Sequence, residues 1–362
     1  MSIHIGLYAR TFHQPTIRGF SRYLLNLIEI LHQLDIKITL FSDIKISTQM
    51  KSMLPNNINI IENSKQKSFV WFYYYLPKLL RKNNITHYWT PANTGIPPLI
   101  CKKIKTISTI HDLISYNDFK KKFNPFLITH WLYAYQWKLS LNANFIVTVS
   151  DFSNKEIVKV SHRIDTIFTI PNLLDNNFLQ NQIVPYSERK YFFYAGGFDE
   201  RKNIYFLLDS FSNFEKEYHG IELLIAGGLS LEKRNELESY AKSNKIKFLG
   251  YVDDSQLKML YSKAIATIIP SMEEGFGLQI VESALSKTPV LVSNRTSLPE
   301  VAGPDIFNFD PTNSNQLIEQ MIKLALSETI WNDQLEKLIR NTKRFSSDNI
   351  KNRLDNFLKM VV

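Results

Sequence analysis

Two glutamates, Glu274 and Glu282, stand with seven residues between them in Pro270-Ser271-Met272-Glu273-Glu274-Gly275-Phe276-Gly277-Leu278-Gln279-Ile280-Val281-Glu282. The pattern predicts a strand ending at 269, a turn cleared by glycines at 275 and 277, and a helix starting near Leu278. Exposed N–H groups at such a helix start, at the positive end of its dipole, suit a phosphate. Carboxylates beside an anion site make sense as acceptors for sugar and ribose hydroxyls. A glycine-rich turn with an acid favoured by the dipole explains the same residues equally well. A second cluster, Gly196-Gly197-Phe198-Asp199-Glu200-Arg201-Lys202-Asn203, follows another predicted strand. Arg201 can fork onto phosphate oxygens and Lys202 adds a point charge on a departing nucleotide. A solvated charge pair at a helix start is the structural alternative.

Residues in turns need a scaffold. The first half predicts strands at 3–8, 37–41, 105–110 and 144–149, with helices at 23–34 and 152–160. The second half restarts the alternation with strands at 191–195, 222–226, 246–249, 266–269 and 290–293, and helices at 203–214, 232–244, 254–262 and 278–286. Strands alternating with helices of this length imply right-handed crossovers and two parallel sheets. In such sheets ligands bind beyond the carboxyl ends of the strands. The boundary is expected between 172 and 190, a polar stretch holding Pro171 and Pro185. A last helix over 347–362 has no obvious sheet partner.

Composition bounds the rest. At 362 residues, two domains are expected. One cysteine, Cys101, excludes a disulfide framework and a multi-thiolate metal site. No basic leader followed by an apolar run and no apolar stretch of about 18 residues occurs, so a soluble, cytoplasmic chain is expected. The net charge of +9 is uneven: residues 1–185 carry 21 Lys and Arg against 10 Asp and Glu, and the remainder 22 against 24. One half is therefore expected to face something acidic. Two stretches there mix basic and aromatic residues: 65–82, and 120–137 with Lys120-Lys121-Lys122 before Phe126, Trp131 and Tyr135. That mixture suits an anionic membrane interface, a single-stranded nucleic acid, or a core helix with solvated lysines.

Glu274 to Glu282, continuing through Ser283-Ala284-Leu285-Ser286-Lys287-Thr288-Pro289-Val290, resembles the E-x7-E signature of glycosyltransferase family 4. Gln279 replaces the family's usual Pro and Lys287 its usual Gly. Arg201-Lys202-Asn203 resembles the family's diphosphate-binding segment, with Gly197 where many members have Arg. Phe248-Leu249-Gly250-Tyr251-Val252-Asp253 resembles its nucleobase loop, Ile107-Ser108-Thr109-Ile110-His111-Asp112-Leu113 its His-Asp strand end, and Thr16-Ile17-Arg18-Gly19-Phe20 its flexible glycine loop.

The resemblance implies an α/β chain of the GT-B class, two Rossmann-like doubly wound domains with a cleft between them. Residues 1–175 would bind acceptor, 186–345 nucleotide-sugar, and the helix 346–362 would return to the first domain. It implies a retaining transfer of a hexose, mannose or rhamnose favoured, to a lipid-linked or polysaccharide hydroxyl. His111, Glu274, Arg201 and Lys202 would be catalytic. Gly19, Asp112, Gly197, Gly250, Tyr251, Val252, Gly275, Phe276, Gly277, Leu278 and Glu282 would bind donor. No Asp-x-Asp or H-E-x-x-H occurs, so neither metal nor other cofactor is expected. Expected partners are a nucleotide-sugar, a glycan or lipid-linked acceptor and an anionic membrane surface, the inner face of the cell membrane, with no nucleic acid. A nucleotide-sugar epimerase of the same fold and a non-catalytic glycan- or nucleic-acid-binding module are the alternatives.

Overall fold

Short β-rich runs bounded by polar turns fold as parallel strands. In the computed structural model the described residues are 3–14, 19–63, 65–173, 178–179 and 183–361. Among them the first sheet comprises β1 (His4–Tyr8), β2 (Lys37–Ser42), β3 (Asn59–Glu62), β4 (His87–Thr90), β5 (Lys105–Thr109), β6 (Phe145–Thr148) and β7 (Ile167–Thr169), ordered β3-β2-β1-β4-β5-β6-β7. The second comprises β8 (Tyr191–Ala195), β9 (Glu222–Ala226), β10 (Ile246–Gly250), β11 (Ala266–Ile269), β12 (Val290–Ser293) and β13 (Asn308–Phe309), ordered β10-β9-β8-β11-β12-β13. Each order reverses direction once, beside β1 and beside β8, which makes those carboxyl edges the natural ligand positions.

The chain divides into two compact units, residues 1–173 with 347–362, and residues 174–346. Part of the expected linker, 174–177 and 180–182, lies outside the described residues, as do Thr16, Ile17 and Arg18 of the glycine loop. The helix Ser347–Val361, left without a partner by the sequence, belongs to the first unit. Its Ile350, Leu354, Phe357, Leu358 and Val361 are buried in one cluster with Leu7, Trp89 and Ile107. That spacing is one helical face. Val361 O also accepts a hydrogen bond from His87 Nε2 at 3.1 Å.

Three expectations shift. Strand β4 escapes the sequence because His87-Tyr88-Trp89-Thr90 has no alternation; all four residues are buried, as a central parallel strand requires. Gly19 opens the helix Gly19–Gln33 rather than lying in a loop. The stretch 65–82 is divided: Trp71, Phe72, Leu76 and Leu80 pack with Tyr8, Phe41 and Tyr88 in the core, while Phe69, Tyr74, Tyr75 and the basic residues are left mostly exposed.

Candidate active site

Glycines line the carboxyl edge of the second sheet, and at one of them the chain segments run too close for a side chain. A Cβ on Gly227, just past β9, would stand 2.1 Å from the carbonyl oxygen of Gly196, just past β8. Gly250 ends β10 at φ +75° and its carbonyl accepts from Gly227 N at 2.9 Å. Gly197 O accepts from Tyr194 OH. Tyr251 is exposed, and Val252 packs beside Phe193 and Tyr261.

Charged side chains converge on this edge. After β8 a short turn, Glu200–Lys202, brings Arg201 and Lys202 round to the loop that follows β11, where Arg201 O accepts from Met272 N at 2.7 Å. Lys202 Nζ donates to Glu274 Oε1, and Ser271 Oγ donates to the same oxygen at 2.9 Å. Arg201 Nη1 lies 3.5 Å from Glu274 Oε2 and donates to the carbonyl of Glu273 at 3.2 Å. Lys202 is only 8% exposed. It is thus no free loop lysine, as a solvated pair would be, but a cation held against a largely buried carboxylate.

The backbone of Glu274 is fixed as firmly as its side chain. Its N–H donates to Thr296 Oγ1 at 3.0 Å and its carbonyl accepts from Ser297 Oγ at 2.9 Å. Thr296 adopts φ +52°, an uncommon conformation for a β-branched residue. Behind Glu274, Gly275 and Phe276 are buried, and the Phe276 ring packs on Phe345 at 5.2 Å. Gly277 caps the helix Leu278–Leu285 at φ +93°, and no side chain caps its first turn. A Cβ there would meet Leu298 at 2.6 Å, so glycine is required twice over. The second glutamate has a different neighbourhood: Glu282 Oε2 accepts from Tyr261 OH at 2.9 Å. Ser271, Thr296, Ser297, Tyr261 and Gly227 were not among the residues expected from sequence. Ser271 was legible inside the motif, whereas Thr296 and Ser297 reach Glu274 from beyond β12.

In the first unit, His111 follows β5 and is buried. Its Nε2 bonds the carbonyl of Pro91 at 2.9 Å, which can only accept, so the proton resides on Nε2 and Nδ1 is left as an acceptor. Burial lowers its pKa to about 4, against a smaller raising effect of the Pro91 bond, so the ring is neutral at pH 7. Phe20 and Tyr23 pack edge-on at 4.8 and 4.7 Å, bringing the helix begun by Gly19 beside it. Asp112 Oδ1 accepts from Ile114 N at 3.0 Å, supporting the next helix start. Asp253 caps the helix Asp254–Lys263 in a reciprocal box with Gln256, a structural role. Among the described residues no three His, Cys, Asp or Glu side chains gather as metal ligands would.

Residues 175–345 match the family described as "Glycosyl transferases group 1", and residues 17–178 match "Glycosyltransferase Family 4". The O-antigen chain mannosyltransferase B of Escherichia coli is 31% identical over 235 residues, 61% of each chain. The O-antigen chain mannosyltransferase RfbU of Salmonella typhimurium is 25% identical over 320 residues, 84% of each. Sucrose-phosphate synthase from Thermosynechococcus elongatus has the same fold, with TM-score 0.74 at 18% identity over 99% of both chains. The two family matches together run from residue 17 to residue 345, and the chain belongs to the GT-B glycosyltransferases of family 4.

Proposed function

We propose that the chain transfers a hexose, mannose by preference, from a nucleotide-sugar to a hydroxyl of a growing O-antigen-type glycan, with retention at the anomeric carbon and without a metal. The convergence of Arg201, Lys202 and Glu274 beside the uncapped helix start at Gly277 carries this reading. The C1–O bond to the donor diphosphate breaks and its electron pair leaves with the nucleotide. Arg201, Lys202 and the first-turn N–H groups meet the developing negative charge from fixed positions, the arrangement that lowers a transition state most. The acceptor oxygen bonds C1 from the face the diphosphate leaves, and its proton passes to the departing phosphate oxygen. Glu274 has further lone pairs for hexose hydroxyls, Glu282 for the ribose, and His111 Nδ1 for a sugar hydroxyl. The mannosyltransferase relatives support the donor preference. A lipid-linked acceptor, and with it work at a membrane surface, accords with the basic first half.

The test is a thermal-shift panel of nucleotides and nucleotide-sugars, since a ligand bound only by the folded state raises the midpoint. GDP-mannose and its nucleotide should raise it, and activity should persist in excess EDTA. No shift with any nucleotide overturns the transferase reading. Loss of activity in EDTA, restored by Mg²⁺ or Mn²⁺, overturns its metal-free form alone.

A further inference from the structure

The connection between β5 and β6 holds its apolar tip in the open. It folds as two helices, Ile114–Lys121 and Ile128–Leu141, joined by a short turn. At that turn Phe126 is 93% exposed, Ile128 75% and Trp131 56%, with Leu127 and Tyr135 also exposed. The turn is built rather than loose. Phe126 N donates to Asn124 Oδ1 at 2.9 Å, Asn124 N to His130 Nδ1 at 2.9 Å, and Trp131 Nε1 to the carbonyl of Pro125 at 3.0 Å. The rings of Phe119, Phe123, Tyr133 and Trp131 pack edge to face. At the other end of the second helix, fully buried Trp137 joins Ile110, Leu141 and Ile146 in the core. A hydrogen-bonded support therefore presents apolar side chains that the packing of this unit leaves exposed, the signature of an interaction surface.

The charges beside the tip indicate what it meets. Lys120, Lys121 and Lys122 immediately precede it, and across residues 114–141 Asp118 is the sole acid. A second copy of the chain in a symmetric contact would set these lysines against one another. An anionic bilayer instead takes all three parts. Phe126, Leu127 and Ile128 enter the acyl boundary, Trp131 and Tyr135 stay at interface depth, and the lysine ammonium groups reach the headgroups. We propose that this helical hairpin is the element by which the chain docks on an anionic lipid surface. The other basic-aromatic stretch is the weaker candidate: Trp71 and Phe72 are in the core, and of its exposed aromatics Phe69 stacks on Tyr73 while Tyr74 and Tyr75 carry hydroxyls. The proposal rests on the membrane-surface reading above, but not on its donor chemistry.

The experiment is sedimentation of the full chain, without donor or acceptor, with phosphatidylcholine vesicles with and without phosphatidylglycerol. Binding to the anionic vesicles should weaken as salt screens it. Phe126→Ser with Ile128→Ser should lower the partition constant by about 10–100-fold. Replacing Lys120, Lys121 and Lys122 by Ser should lower it by about 100-fold on anionic vesicles only. Both variants should keep the wild-type melting temperature and nucleotide-sugar shift. Brominated lipid should quench wild-type fluorescence and do so less in Trp131→Phe. Wild-type binding by the Phe126/Ile128 variant overturns the proposal, as does equal binding to neutral vesicles. So does a dimer that the same variant dissociates, with no vesicle binding. A failed nucleotide panel with intact vesicle binding would sink the transferase reading and leave the docking face standing.

Discussion

The carboxyl edge of the second sheet gathers Arg201, Lys202 and Glu274 among glycines, while that of the first places His111, neutral, between Phe20 and Tyr23. The contrast runs against the charge count, because the first half carries the positive excess and the second is slightly acidic. In the first half, Lys120, Lys121 and Lys122 lie on a surface hairpin where salt screens them. The two cations of the second half are fixed by a carboxylate and by backbone, so they act at short range with little reorganisation. Net charge thus points to what a surface meets, and hydrogen-bonded geometry to where charge does chemistry.

The largest expected effect breaks the charged edge. Lys202→Met should cut turnover by about 10²–10³, the scale for one preorganised electrostatic group. Because Lys202 is buried against Glu274, the variant should also lose about 1–3 kcal/mol of stability, unlike an exposed loop lysine. Adding Glu274→Gln should recover much of that stability and none of the turnover, read by urea midpoint and steady-state rate. Near-normal turnover in Lys202→Met would remove the pair from the mechanism.

This edge was more legible in the sequence than the other. Glycines and acids at fixed offsets between a strand and a helix mark Glu274 and Glu282, and Arg201-Lys202 announces itself by charge. Local pattern does not show that Lys202 pairs with Glu274 across 72 positions, since that depends on β8 and β11 being neighbours. The same limit hid Thr296 and Ser297. The residues' own pattern likewise left the last helix without a partner, because Leu7, Trp89 and Ile107 are far away in sequence, and the family resemblance alone returned it to the first domain. In the first unit β4 was missed because full burial leaves no alternation to read. Gly19 was misplaced by one element because a glycine before a helical run reads as a loop.

The neutral edge can be tested by pH. The pKa of His111 is about 4 in the fold against an ordinary 6.5. As pH falls below 6.5 the unfolded chain takes up the proton first. Stability is therefore undiminished above about 6.5, declines between 6.5 and 4, and falls no further on this account below 4. The full loss is about 3 kcal/mol. His111→Gln, whose amide can still donate to Pro91 O, should flatten the profile over that window. His4 and His87 also have lowered pKa values, so the variant must be compared with wild type at each pH. An unchanged profile would mean that His111 is not held neutral by burial, and the contrast between the two edges would fail.

The smallest effect concerns Gly19, exposed at the first described position of its helix. A Cβ there meets nothing within 4 Å, whereas one on Gly227 would strike a carbonyl oxygen. Gly19→Ala should therefore leave the fold intact and stabilise it by up to about 0.5–1 kcal/mol through helix propensity. Gly227→Ala should instead destabilise, by about 1–3 kcal/mol, as overpacking does. If Gly19 is kept small for a substrate, Gly19→Ala should be more stable and yet slower, with an apparent KM raised about fivefold for a loss of about 1 kcal/mol in binding. A variant both more stable and unchanged in kinetics would strike Gly19 from the site. Gly227 would then be a glycine required by packing, and Gly19 one required by neither packing nor substrate.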